Sequence, residues 1–220
     1  MAKDGVNTPH ILLTNDDGVH AEGLTALEEA LQEHAALTVV APHLERSASS
    51  HAISLQQPIR YEKISERKFA VEGTPADCVI LALNHICKIE PDLVIAGINR
   101  GGNMGENIFY SGTVAAAFEA LLNRVPAFAI SVASREEFHY DVAATFGVQL
   151  ALKILRGGLP KGIVLNVNVP APWRNGVRLT RQSRKITKNL LVEGIDPRGR
   201  NYYWLHEQLD LSRIEPDTDY

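Results

Sequence analysis

The chain has 220 residues and is 45% hydrophobic, enough for one large α/β unit with an extension and a full apolar core. Its net charge of −4 excludes a basic field that could hold duplex nucleic acid non-specifically. A small anionic ligand stays open to it, provided that a cation and backbone N–H groups supply the positive charge.

No run of about 18 apolar residues marks a membrane span. The two cysteines, Cys78 and Cys87, lack CxxC spacing and read as core thiols in a reducing compartment. The polar start, Met1 to His10, carries no apolar h-region. A cytoplasmic protein is the expectation.

In chain order, His10–Thr14 (HILLT) reads as a buried strand. Leu24, Leu27 and Leu31 give a helix over Gly23–His34 one apolar face. Leu37–Ala41 is a second strand, ended by Pro42, and Gln57–Val71 holds two charged segments of hairpin type. Thr74-Pro75-Ala76-Asp77 opens a helix running to Cys87, with Thr at the N-cap, Pro first and Asp in the first turn. Leu93–Ala96 is the third strand, and a glycine-rich loop spans Gly97–Gly105. Gly112–Asn123 is an alanine-rich helix, Ala127–Ser131 a strand, Asp141–Leu155 a helix and Gly162–Val169 a strand.

This alternation, with strands apolar on both faces, predicts an α/β fold. The class is a Rossmann-like three-layer sandwich with a mostly parallel sheet. Residues 1–170 form that core. Residues 171–220, rich in Pro, Arg and polar residues and with Tyr202–Leu205 as their compact apolar run, read as a C-terminal extension packing on the core or on a neighbouring subunit.

Ligands of open parallel sheets bind outside the carboxyl ends of the strands. The first strand is followed by Asn15-Asp16-Asp17-Gly18, the second by Arg46-Ser47-Ala48-Ser49-Ser50, and the third by Asn99 and Gly101-Gly102-Asn103. All three loops open on one edge. Two carboxylates about 4 Å apart repel by roughly 1 kcal/mol in water and about 4 at an effective dielectric of 20, and a cation reverses the sign. Asp, Ser and Asn oxygens suit a hard ion such as Mg²⁺ or Mn²⁺. The competing reading is an Asx turn and helix cap, with Gly18 supplying positive φ.

Tyr110-Ser111-Gly112-Thr113 opens the alanine-rich helix, where free N–H groups suit a phosphate; Ser111 also reads as a plain N-cap. His20 and His51 border the mouth and read either as substrate contacts or as solvated loop histidines. GxGxxG and the P-loop are absent, and adjacent aspartates do not fit Asp-x-Asp. A receiver domain would need Asp where Asn99 stands.

These residues resemble the SurE family of 5′/3′-nucleotidases. The resemblance lies in ILLTNDDGVHAEG (11–23), VVAPHLERSASSH (39–51), GTPADCV (73–79), AGINRGGNMGENIFYSGTVAAAFEA (96–120) and PAFAIS (126–131). It continues more weakly through LNVNVP and DPRGRNYYW. It implies a Rossmann-like core and hydrolysis of nucleoside monophosphates to nucleoside and phosphate. It also implies one divalent ion (Mg²⁺ or Mn²⁺) per subunit on Asp16, Asp17, Ser47 and Asn99, and a homodimer or homotetramer exchanging C-terminal segments. Departures are Glu22 and Gly102, where the family often has Pro, and the end at Tyr220, where the family usually continues into a further strand.

The expected catalytic residues are therefore Asp16 and Asp17, with either as the base. Asn15, Asn103, Ser111, Gly112 and Thr113 are expected to hold the phosphate. The alternative is a metal-dependent nucleotide-binding module without turnover.

Overall fold

The computed structural model describes residues 8–134, 136–173, 176–184, 187–210, 212 and 214–220. The polar start at residues 1–7 lies outside them. The described chain divides into two units, residues 1–103 with 109–175, and residues 104–108 with 176–220.

The first unit is built on a seven-stranded sheet of order β3-β4-β2-β1-β5-β6-β7. Its strands are β1 (His10–Thr14), β2 (Ala36–Pro42), β3 (Tyr61–Ser65), β4 (Lys68–Val71), β5 (Leu93–Arg100), β6 (Ala127–Ala133) and β7 (Leu165–Pro170). All pairings are parallel except the hairpin β3–β4 at one edge. The fold class expected from the sequence is the one observed.

Four helices cover the sheet: α1 (Glu22–Leu31), α2 (Pro75–Leu81), α3 (Gly112–Leu122) and α4 (Tyr140–Gly157). α1 packs on α4 and α2 packs on α3, giving one layer on each face. Ile11, Leu13, Ile95, Phe128 and Ile130 form a fully buried core against Leu24, Leu27 and Leu31 of α1 and Ala143 and Ala151 of α4. Chain direction adds a topological point. The crossovers β1–α1–β2 and β5–α3–β6 run in opposite directions along the sheet, so the usual right-handed rule puts α1 and α3 on opposite faces. α4 shares the α1 face although β6–α4–β7 runs the same way as β5–α3–β6, so that crossover is left-handed. It carries the start of α4 to the mouth between β1 and β5.

Local chemistry explains the boundaries. Thr74 and Asp77 close a capping box: the Asp77 N–H donates to Thr74 Oγ1 (3.1 Å) and the Thr74 N–H to Asp77 Oδ2 (2.9 Å). α2 gives way to a π-helical turn over Ala82–Ile86, so the helix expected to reach Cys87 is regular only to Leu81. β5 is longer than expected. It absorbs Gly97–Arg100, because pairing with β6 resumes at Asn99↔Ser131 after a register shift.

The second unit carries a two-stranded antiparallel sheet, β8 (Thr187–Ile195) with β9 (Asn201–Leu209). Only part of β9 was legible as an apolar run. No helix among the described residues is long and apolar enough to cross a membrane.

Candidate active site

β1 and β5 are neighbours whose following helices depart to opposite faces, so a crevice opens between their carboxyl ends. The turn after β1 lies in it. Asn15, fully buried, bridges that turn: its Nδ2 donates to the Gly18 carbonyl (2.9 Å) and its Oδ1 accepts from the Gly18 N–H (3.2 Å). Gly18 has φ +104°, a backbone that side chains rarely adopt. The turn reading and the carboxylate reading thus describe the same residues, because the Asn15–Gly18 brace holds Asp16 and Asp17 in place.

Asp16 is 4% exposed. Its Oδ1 accepts a hydrogen bond from the Thr113 hydroxyl in the first turn of α3. Burial pushes its pKa up to about 6; the Thr113 bond opposes this and the Asp17 charge adds to it. Asp17 is half-buried, and its Oδ2 accepts from the Arg100 N–H at the end of β5 (3.1 Å). Burial raises its pKa too, with the Arg100 bond opposing and Glu45 reinforcing. Among the described residues no lysine or arginine forms an ion pair with either carboxylate.

The other expected metal ligands flank this pair. The Arg46 N–H donates to the Asp16 carbonyl (2.7 Å), docking the second loop on the first. Ser47, the next residue, is exposed and donates to Glu45 Oε1 (2.6 Å). Asn99 Nδ2 donates to the Gly101 carbonyl (2.7 Å), and its Oδ1 has no hydrogen-bond partner among the described residues. No cluster of three or more His, Cys, Asp or Glu occurs among the described residues. The set of two carboxylates and two neutral oxygens nevertheless fits a hard divalent ion completed by water, the mode in which Mg²⁺ is usually held.

The α3 N-terminus faces the pair. Ser111 accepts from the Val114 N–H (3.0 Å) as N-cap. Gly112 lies so close that a Cβ there would stand 2.7 Å from Ser49 Oγ, 2.9 Å from Asp16 Cβ and 3.0 Å from Asp16 Oδ2. Asn103 is held from several sides. Its N–H donates to Asn168 Oδ1 (2.8 Å) and its Nδ2 to Ser131 Oγ (2.9 Å), and its carbonyl accepts from Asn166 (2.7 Å) and Asn168 (3.0 Å).

Sequence reasoning overlooked several of these groups. Asn166 and Asn168 stand two apart on β7, hence on one face, opposite Ala129 and Ser131 of β6; two polar residues in step within an apolar strand were the available signal. The buried hydroxyls of Thr14 and Ser49 have no hydrogen-bond partner among the described residues, and both border the crevice. Of the two histidines at the mouth, His51 pairs with Glu119 on α3 (2.8 Å), and Ser50 is tied to the Phe109 and Tyr110 carbonyls (2.7 and 3.0 Å). Together they anchor the second loop to α3 and to the segment just before it. His20 is exposed.

The survival protein SurE family model matches residues 11–189. Relatives named 5′-nucleotidase SurE include one from Geotalea daltonii, 49% identical over 199 residues, spanning 89% of this chain and 80% of the relative. Another, from Geobacter sulfurreducens, is 47% identical over 215 residues, spanning 96% and 82%. The crystal structure of the SurE protein from Aquifex aeolicus superposes with a TM-score of 0.86 at 38% identity, covering 96% of this chain and 87% of that one.

Proposed function

The chain belongs to the SurE family, and on that premise we propose that it is a divalent-metal-dependent phosphomonoesterase hydrolysing nucleoside 5′- and 3′-monophosphates to nucleoside and phosphate. The names of its relatives support nucleotidase activity. One observation supports this site above others: Asp16 and Asp17 occupy the switch-point crevice, and Asp16 is pressed against the N-terminus of α3.

Asp16, Asp17, Ser47 and Asn99 would hold one Mg²⁺ or Mn²⁺ per subunit. Bound there, the cation supplies positive charge against phosphoryl oxygens and acidity to water. The protein groups divide the remaining work. Backbone N–H groups of Gly112 and Thr113, with the Ser111 hydroxyl, face the phosphate at the positive end of the α3 dipole. Asn103, fixed by Asn166, Asn168 and Ser131, contributes its remaining amide hydrogen. Asn15 keeps the turn rigid. Asp17 is the less buried carboxyl, and its Oδ1 has no protein partner among the described residues, so it is the better placed of the two to orient water and take its proton. Asp16 stays fixed by Thr113.

Phosphate release from AMP by the wild type and by Asp17→Asn tests this reading. Loss of at least 100-fold in kcat is expected, and wild-type turnover in the variant would refute it. Nucleotide binding without any phosphate release from the wild type would favour the binding-module alternative.

The second unit supports self-association. Leu191, Trp204 and Leu205 of the β8–β9 hairpin are each about two-thirds exposed, a liability that a homodimer or homotetramer would remove. Light scattering on the purified chain, against a variant with Trp204→Asp and Leu205→Asp, reads this directly. A dimer or tetramer that dissociates in the variant is expected, and a wild-type monomer would refute it.

A further inference from the structure

A cavity of about 210 Å³ lies in the first unit at the rim that carries Asp17. Its walls are Val132 at the end of β6, Val169 at the end of β7, His139 and Val142 at the start of α4, and Trp173, with the turn over residues 170–172 between. None of these side chains carries a carboxylate, ammonium or guanidinium group. The lining is a valine floor with an indole and an imidazole, and Trp173 is 40% exposed. Such a surface selects a flat, weakly polar ring over a second phosphate or a charged peptide.

The position of the cavity relative to the carboxylates follows from the sheet register. Asp17 Oδ2 accepts from the Arg100 N–H (3.1 Å), and Arg100 is paired across the strands with Val132, which is paired in turn with Val169. The cavity floor therefore begins one strand spacing, about 4.8 Å, beyond the amide that Asp17 grips. The intervening ground is also aromatic. The Arg100 guanidinium lies 4.8 Å over the Phe138 ring, and Phe138 stacks on Tyr140 with centroids 6.2 Å apart. On the opposite face of β7, Asn168 fixes Asn103, one residue from Val169. A ligand whose phosphate lies at the α3 N-terminus thus crosses the rim at Asp17 and Arg100 and meets the cavity on the α4 face.

We infer that this cavity is the nucleobase subsite, with Trp173 the ring on which the base stacks and His139 at its edge. The inference rests on the nucleotidase reading and deepens it: the phosphate is gripped on one face of the sheet and the base is recognised on the other. A left-handed β6–α4–β7 crossover is what brings His139 and Val142 to that place.

The test compares two phosphomonoesters, AMP and β-glycerophosphate, the second having no base. Base–aromatic stacking removed by alanine substitution corresponds to roughly a tenfold effect or more. Trp173→Ala should raise the ratio of KM for AMP to KM for β-glycerophosphate about tenfold, and Trp173→Phe should restore most of the loss. An unchanged ratio overturns the inference. On the unaltered protein, adenosine should compete with AMP where ribose does not, and calorimetry should detect adenosine binding that Trp173→Ala abolishes. Hydrolysis of both esters without competition by adenosine would remove the base subsite and leave the phosphatase. Adenosine binding lost in Trp173→Ala, with no hydrolysis of either ester, would keep the subsite and remove the phosphatase.

Discussion

The Thr113 hydroxyl donates to Asp16 Oδ1 across 97 residues of sequence, joining the first turn of α3 to the turn after β1. The bond fixes one oxygen of a buried carboxylate and brings the N–H groups of α3 beside the other. Thr113→Val removes the donor while keeping the shape. Its loss should leave the fold standing, at a cost of about 1–3 kcal/mol, and lower kcat for AMP by tenfold or more. Unchanged kinetics would show that Thr113 does not position Asp16.

Asp16 also makes the metal-free protein sensitive to pH. Folded, it holds its proton up to about pH 6; unfolded, it releases it near 3.8. The group therefore favours the fold below pH 3.8, and this contribution is lost as pH rises through about 6. Asp16→Asn should stabilise the metal-free chain at pH 7.5 by about 1–3 kcal/mol while abolishing turnover. Denaturant melts in the presence of chelator measure the first effect, and a destabilised variant would contradict it.

The same proton competes with a cation. Mn²⁺ should raise the melting temperature strongly at pH 7.5 and weakly at pH 5. Its apparent affinity should fall roughly tenfold per pH unit below about 6 for each proton displaced. Titration calorimetry across that range checks the slope, and a pH-independent affinity would contradict it.

Gly112 is demanded by close approach. A methyl group there meets Ser49 Oγ at 2.7 Å and Asp16 Cβ at 2.9 Å. Gly112→Ala should cost about 1–3 kcal/mol in stability and shift the carboxylate enough to lose about 100-fold in kcat. Assay and melt together decide; a fully active alanine variant would mean that the site has room to spare.

Asn168 grips the Asn103 backbone by both its N–H and its carbonyl. Asn168→Leu leaves the Asn103 N–H without its acceptor, at about 1–3 kcal/mol, while the carbonyl keeps its bond from Asn166. It should raise KM for AMP with Mn²⁺ affinity unchanged. Loss of Mn²⁺ binding instead would place the effect at the carboxylates.

Much of this was legible in the sequence where local chemistry decides the outcome. HILLT, LTVVA and LVIA are apolar on both faces and became adjacent parallel strands; Thr74-Pro75-Ala76-Asp77 became a capped helix start. The crevice followed because three loops after those strands share an edge. What stayed hidden depends on contacts distant in sequence. Gly97 read as the start of a loop, yet β5 continues through it, because a bare Cα lets the Ile130 carbonyl come within 2.2 Å of where a Cβ would stand. The β8–β9 hairpin mixes polar and apolar residues without strict alternation. Its turn signal lay in Asp196-Pro197-Arg198-Gly199, where Asp196 accepts from the Arg198 and Arg200 N–H groups at 2.8 and 2.9 Å. The handedness of the last crossover leaves no local trace at all, and the Asn103 contacts to β7 leave only the two asparagines in step at 166 and 168.

In the proposed function, adjacent carboxylates at the β1–β5 crevice would hold a cation on which nucleotide hydrolysis depends. The most direct measurement is inorganic phosphate released from AMP by the purified chain with Mn²⁺, after chelator, and after Mn²⁺ is restored. Multiple turnovers that stop with chelator and return with the ion are predicted. Turnover that persists undiminished after the metal has been stripped would contradict a metal-dependent site.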